Sequence, residues 1–113
     1  MNEIPVNNLK VILEKIHGQI KSNNFRITQH TQQEMAEEDI FLNDILEAAN
    51  TGQILENYPA HRRGACCLIS GLTLQDRPLH IVCTSGRPEL IIITVYEPKP
   101  PKWLTPTQRR KQK

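Results

Sequence analysis

The sequence predicts an α+β domain in which N-terminal helices pack on one face of a four- to five-stranded antiparallel sheet. In the first half of the chain, apolar residues recur at the spacing of an α-helix. In the second half, apolar runs alternate with short turns that contain Gly, Pro and Asp, which is typical of consecutive antiparallel strands. Helices followed by strands indicate that one sheet face receives the helices and the other stays open.

The first half of the chain predicts three helices and one short strand. The predicted segments are a helix over residues 6–22, a strand over 25–28, and helices over 29–38 and 43–50. Thr28 and Asn43 precede the second and third helices, and their side chains suit the capping of a helix N-terminus. Gly52 follows the third helix at the position where glycine commonly ends one.

The second half predicts a meander with a row of polar side chains on one face. The predicted strands begin at residue 54 and cover 66–70, 79–83 and 90–96. Strand side chains alternate between faces, and the turn lengths place Ser70 opposite His80 and His80 opposite Thr94, with Tyr96 one step along. The opposite face is nearly pure hydrocarbon and is expected against the helices: Leu79, Ile81, Cys83, Ile91, Ile93 and Val95.

The charge distribution separates a domain from a tail. Residues 1–98 form the predicted single domain and hold eight basic residues against twelve acidic ones. Residues 99–113 are rich in proline and hold six basic residues and no acidic one, so the positive net charge of +2 comes from this flexible tail. A broad basic surface for nucleic acid is therefore not expected on the domain. Trp103 is expected either to fold back onto the domain or to anchor a partner.

The three cysteines indicate neither a disulfide framework nor a zinc site. Cys66 and Cys67 are neighbours in a predicted strand, and no C-x-x-C pair occurs. No metal and no other cofactor is expected. The N-terminus has no secretion signal, and no apolar run approaches the length that spans a membrane. We therefore expect a cytoplasmic protein with no membrane partner.

Several short strings, in their order and spacing, resemble a known family. They are Ile27-Thr28-Gln29-His30, Gly52-Gln53-Ile54, Tyr58-Pro59, Arg63-Gly64, Arg77-Pro78-Leu79-His80-Ile81-Val82 and Ile93-Thr94-Val95-Tyr96-Glu97-Pro98 followed by Trp103. This pattern covers about residues 25–105, with its core over 25–98, and resembles an uncharacterised bacterial family described as a domain of unknown function.

That family is similar in layout to the RelE and BrnT type of small ribonuclease toxins, and its members are often encoded beside a small zinc-finger protein of the antitoxin kind. The resemblance implies a sheet face that binds or cleaves RNA and a protein partner that covers it. The chain departs from the family at Glu34 and Glu38, where the resemblance leads us to expect arginine.

Cleavage of RNA without a metal needs a base for the 2′-hydroxyl, a donor for the phosphorane and an acid for the leaving oxygen. The candidate catalytic residues are His80, Arg63, Tyr96 and His30, and the candidate phosphate-binding residues are Arg62, Thr94 and Ser70. An imidazole titrates near neutral pH, and a guanidinium holds phosphate through forked donors. Each residue also has a structural interpretation, such as a half-buried histidine with its hydrogen bonds satisfied.

The leading hypothesis is a RelE/BrnT-like toxin, a metal-independent endoribonuclease that cleaves RNA by attack of the 2′-hydroxyl. The alternative is a non-catalytic interaction module of the same fold that binds an antitoxin-like zinc-finger partner, which the acidic domain favours. A third interpretation is RNA binding through the basic tail alone, over residues 99–113.

Overall fold

The computed structural model describes residues 8–110 and confirms the α+β class. Its elements are α1 Leu9–Lys21, β1 Phe25–Ile27, α2 Gln29–Glu38, α3 Leu42–Thr51, β2 Gln53–Tyr58, β3 Cys66–Leu72, β4 Pro78–Thr84, β5 Leu90–Tyr96, β6 Trp103–Thr105 and β7 Gln108–Arg109. The predicted start of the first helix at residues 6 and 7, and residues 111–113 of the tail, lie outside the described residues.

Five strands form one mixed sheet in the order β1-β5-β4-β3-β2. Strands β2 to β5 are the predicted antiparallel meander, because each is joined to the next by a short connection. The expectation of a wholly antiparallel sheet is wrong at β1, which pairs parallel to β5. Two helices and three strands separate β1 from β5 in the chain, and so long a connection permits parallel pairing.

The helix ends agree with the sequence analysis at two of the three predicted caps. The Thr28 hydroxyl accepts the N–H of Thr31 at 3.1 Å, and Gly52 is the C-cap of α3. Helix α3 begins one residue before the predicted cap Asn43. Its first turn is closed instead by Asp44, whose carboxylate accepts the N–H of Phe41 at 2.9 Å.

The hydrophobic core lies between the helices and one face of the sheet. Its buried residues are Ile12, Ile16, Ile40, Ile45, Ala48, Ala49, Cys67, Ile69, Leu79, Ile81, Cys83, Leu90, Ile92 and Val95. Helix α3 crosses β3 at Gly71, where an added Cβ would lie 1.8 Å from the carbonyl oxygen of Ala48. The absence of a side chain at this position therefore sets how closely α3 approaches the sheet.

The register of β4 is as predicted on one side and shifted on the other. Ser70 lies opposite His80 as expected, but Tyr96, not Thr94, lies opposite His80 on β5. A β-bulge at Ile93 reverses the face of the preceding residues. Leu90 and Ile92 therefore enter the core, and the prediction that Ile91 and Ile93 face the helices is wrong.

The C-terminal segment forms a hairpin in place of the flexible tail that the sequence predicts. Strands β6 and β7 pair with each other, and residues 103–109, here called the C-terminal hairpin, lie on the sheet face opposite the helices. The side chain of Trp103 is 2% exposed, so burial of a large aromatic ring holds the hairpin in place.

The described residues hold three free thiols, those of Cys66, Cys67 and Cys83, all of which are buried. Within residues 8–110, no group of three or more His, Cys, Asp and Glu side chains is placed to hold a metal ion. None of the helices described is long and apolar enough to cross a membrane.

Gly71→Ala is expected to lower the free energy of unfolding by about 3 kcal/mol or more, because its Cβ would overlap the backbone of α3. The matched control is Gly18→Ala, since nothing lies within 4 Å of a Cβ at that position in α1. There the better helix propensity of alanine should raise stability by about 0.5–1 kcal/mol. Urea unfolding measures both changes, and equal stability of the two variants would contradict the close approach of α3 to β3.

Candidate functional site

The polar row predicted on the open sheet face is present and lies beneath the C-terminal hairpin. We define the polar row as Ser70, His80 and Tyr96, which are aligned across β3, β4 and β5. The imidazole of His80 is fully buried. Its Nε2–H donates to the carbonyl oxygen of Pro106, and its Nδ1 accepts the hydroxyl of Tyr96 at 3.1 Å. A carbonyl can only accept, so Nε2 carries a proton, and because burial disfavours the charged ring, Nδ1 is the unprotonated nitrogen that accepts from Tyr96.

The hairpin closes over this row through an aromatic and a polar contact. The ring of Trp103 meets the imidazole of His80 edge-on, with the centroids 4.3 Å apart and an interplanar angle of 87°. The hydroxyl of Ser70 donates to the carbonyl of Pro106 at 3.4 Å. One carbonyl of the hairpin thus accepts from two residues of the polar row.

An ion pair holds the far strand of the hairpin to the edge of the sheet. Both Nε and Nη2 of Arg109 donate to the carboxylate of Glu56 on β2, at 3.0 and 2.8 Å. The guanidinium also lies over the ring of Trp103, 4.6 Å from its centroid. The hydroxyl of Tyr58 is a further donor to Glu56. These hydrogen bonds, with that from Arg109 the strongest, lower the pKa of Glu56.

The electrostatic environment of His80 favours the neutral imidazole. Burial lowers the pKa of His80 below the usual histidine value, and the hydrogen bond to Pro106 opposes part of this shift. The carboxylate of Glu56 also raises the pKa, whereas the positive charges of Arg109 and Lys102 lower it. Burial raises the pKa of the neighbouring Tyr96, so both partners of the hydrogen bond stay uncharged near neutral pH.

Beside the hairpin, the same sheet face carries an open groove of about 340 Å³, here called the cationic groove. Its lining residues are His61, Arg63, Gly64, Cys66, Val82, Thr84, Arg87, Ile91 and Ile93. Apolar side chains of three strands form the floor, and the loop before β3 and the turn after β4 form the rim. The groove is therefore suited to a ligand that combines an apolar body with an anionic group.

Backbone contacts fix the two guanidinium-bearing segments of the rim. Gly64 has a φ of 112°, a conformation that glycine adopts without strain, and its N–H donates to the carbonyl of His61 at 2.8 Å. The guanidinium of Arg87 donates to the carbonyl of Arg63 at 3.4 Å. The side-chain amide of Gln19 on α1 donates to the carbonyl of Arg87 at 2.8 Å, which ties the turn to the domain.

The positive charge of the rim is not neutralised within the described residues. Across residues 8–110, no carboxylate forms an ion pair with Arg63 or Arg87, although Arg26, Arg77 and Arg109 are each paired. Burial raises the pKa of the Cys66 thiol in the floor, so this thiol stays protonated near neutral pH. The groove thus presents uncompensated cations above an uncharged floor.

A family model for a domain of unknown function, DUF4258, matches residues 27–97. The chain belongs to the DUF4258 family. No curated protein and no solved structure matches the chain. The DUF4258 match ends at Glu97, before β6, so it contains the polar row and the groove floor but not the C-terminal hairpin.

The structure brings together some of the sequence-predicted residues of this DUF4258 domain and separates others. Ser70, His80 and Tyr96 are adjacent, whereas Arg63 lies on the rim of the cationic groove. Arg62 is exposed and does not line the groove. The four candidate catalytic residues therefore do not converge on one point.

Two further candidates, His30 and Thr94, contact the same residue of α2. His30 lies on the surface with Nε2 3.4 Å from the carboxylate of Glu34. The same carboxylate accepts the hydroxyl of Thr94 and the N–H of Val95, the latter at 2.9 Å. Glu38 likewise accepts the N–H of Glu97 at 3.1 Å. The two glutamates that replace the expected arginines thus join α2 to β5.

Four residues of the site were missed by the sequence analysis: His61, Arg87, Glu56 and Arg109. Arg87 could have been identified from the sequence, because the turn after β4 and the loop before β3 must meet at one end of an antiparallel pair. The ion pair between Glu56 and Arg109 could not have been predicted from the sequence, since it depends on where the hairpin lies.

Acidification is expected to loosen the C-terminal hairpin. Because the pKa of His80 is lowered when the hairpin is docked, the undocked chain binds the proton more readily. Docking should be fully stable above about pH 6.5, the usual histidine value, and should weaken as the pH falls below it. Emission of the single tryptophan, Trp103, reports the change directly.

The control for this titration is His30→Gln, which removes an exposed imidazole that makes no described contact with the hairpin and should leave the pH step intact. His80→Gln should abolish the step. A step that survives in His80→Gln, or unchanged emission from pH 7.5 to 5, would contradict the assignment of the neutral His80 as the contact that holds the hairpin.

Proposed function

We propose that the protein is a RelE/BrnT-like toxin of the bacterial cytoplasm, a metal-independent endoribonuclease that binds RNA in the cationic groove and cleaves it at the polar row. One observation carries the proposal: the cationic groove and the polar row lie side by side on the same sheet face. Val82 in the groove floor lies two residues beyond His80 on β4, and their Cα atoms are therefore about 7 Å apart. A strand of RNA can span that distance.

Binding in the groove would use both of its chemical features. The guanidinium groups of Arg63 and Arg87 would hold a phosphate through forked donors, and His61 lies on the same rim. The floor of Val82 and Ile91 would receive the apolar face of a base. Because the rim cations lack ion-pair partners among the described residues, they need not break an ion pair to bind phosphate.

Cleavage would use the hydrogen bond between His80 and Tyr96 as a proton relay. The oxygen of Tyr96 takes the proton of the ribose 2′-hydroxyl as the tyrosine passes its own proton to Nδ1 of His80, and the 2′ oxygen attacks phosphorus. Nε2 of His80 gives its proton to the departing 5′ oxygen, which leaves the imidazole neutral with its proton on Nδ1. The products are a 2′,3′-cyclic phosphate and a 5′-hydroxyl. Ser70 would donate a hydrogen bond to the phosphorane, whereas His30 takes no part.

The second candidate function is a non-catalytic interaction module that binds an antitoxin-like zinc-finger protein. The observation that favours it is the enclosure of His80, both of whose ring nitrogens already have partners within the chain. In that case the apolar floor and cationic rim of the groove would receive an acidic, partly apolar segment of the partner.

Binding of a short single-stranded RNA should fall in the double variant Arg63→Gln/Arg87→Gln. Each lost phosphate contact should lower the slope of log affinity against log salt concentration by about 0.7. The matched control is Lys10→Gln/Lys15→Gln on α1, which removes the same charge on the helical side of the domain. Fluorescence anisotropy of labelled RNA over a range of salt concentrations measures the affinity and its slope.

Equal loss in the two double variants would show that only net charge matters and would contradict an RNA site in the groove. Tight binding of a neighbour-encoded protein, with no salt-dependent binding of RNA, would favour the interaction module. Loss of that protein's binding in the groove variant alone would place the partner in the groove.

A further inference from the structure

We propose that the C-terminal hairpin is a built-in strap that closes the polar row and lifts from the sheet before cleavage can occur. This inference concerns the regulation of the proposed endoribonuclease site and rests on that function. In the closed arrangement, the carbonyl of Pro106 accepts the Nε2–H of His80 that would protonate the departing 5′ oxygen. The cationic groove beside the hairpin stays open, so RNA can bind before the strap lifts.

The hairpin satisfies the polar row with the same kinds of groups that a bound ligand would present. The carbonyl of Pro106 accepts from His80 and Ser70, as a phosphate or ribose oxygen would. Arg109 binds Glu56 through two nitrogen atoms, and Trp103 covers the imidazole ring. The row is therefore a binding surface that the chain fills with its own segment.

The hairpin can lift without loss of the domain's core. Trp103 lies on the sheet face opposite the helices and is not a member of the core cluster. The matched family domain ends at Glu97, and a short proline-rich connection leads from there to the hairpin. Local opening of such an appended unit should require less free energy than global unfolding.

The groups that face His80 set the conditions for opening. Tyr96 from β5 and Glu56 from β2 lie beneath the hairpin, Arg109 approaches from the hairpin, and Lys102 immediately precedes it. Among the described residues, the pair between Arg109 and Glu56 is the one ion pair that joins the hairpin to the sheet. Loss of that pair should therefore raise the open fraction without altering the groove.

The experiment uses the full chain and two variants of equal charge. Arg109→Gln removes the ion pair with Glu56, whereas Arg110→Gln removes a neighbouring charge that has no described side-chain partner. Hydrogen exchange of the Arg110 amide, which donates to the carbonyl of Lys102 at 2.8 Å, reports the opening of the hairpin. Amides that pair β3 with β4 report the sheet.

We expect about tenfold faster exchange of the hairpin amide in Arg109→Gln, unchanged exchange in the sheet, and no change in Arg110→Gln. The rate of cleavage of labelled RNA by Arg109→Gln should rise by about the same factor at saturating RNA. The slope of log RNA affinity against log salt concentration should be the same in Arg109→Gln and Arg110→Gln. A second pair tests the aromatic contact: Trp103→Ala should act like Arg109→Gln, and Leu104→Ala, at a 55% exposed position, should not.

If the hairpin amide exchanges only together with the sheet amides, the hairpin is an inseparable part of the fold. The proposal that it lifts as a strap is then wrong. Faster exchange of the hairpin amide without faster cleavage of RNA would show that lifting of the hairpin does not regulate the reaction. If no variant binds RNA in a salt-dependent manner, the proposed function fails, and with it the regulatory role, whatever the exchange pattern.

Discussion

The arrangement of the sheet face depends on one buried imidazole that makes a hydrogen bond on each side. His80 accepts from Tyr96 within the sheet and donates to Pro106 of the C-terminal hairpin. Burial disfavours the charged ring, and the carbonyl of Pro106 requires the proton on Nε2, so this one residue ties its own tautomer to the position of the hairpin. The hairpin then places Trp103 and Arg109, which enclose the polar row and leave the cationic groove uncovered.

Local sequence patterns predict the helices and strands of the domain well, but not the relations between distant segments. Apolar spacing and turn residues indicate all three helices and the antiparallel meander, and turn length gives the pairing of Ser70 with His80. The bulge at Ile93 is not visible in strand parity, and one inserted residue reverses the face of Leu90 and Ile92. The parallel position of β1 likewise depends on tertiary packing.

The site shows the same division between local and distant information. The polar row follows from side-chain alternation, and Arg87 could be inferred from the meander because its turn shares an end of the sheet with the loop of Arg63. The sequence left open whether Trp103 folds back onto the domain, but the hairpin itself could not be inferred, because a proline-rich basic segment is typical of an exposed tail. Its docking depends on Trp103, and on the fit between Arg109 and Glu56 across 53 residues of chain.

The most direct test of this account is the ¹⁵N NMR spectrum of the His80 ring at neutral pH. We expect a neutral imidazole with the proton on Nε2, slow exchange of that proton with water, and a persistent hydrogen bond at Nδ1. A charged ring, a proton on Nδ1, or the rapid exchange of a solvent-exposed imidazole would contradict the enclosure of the polar row by the hairpin.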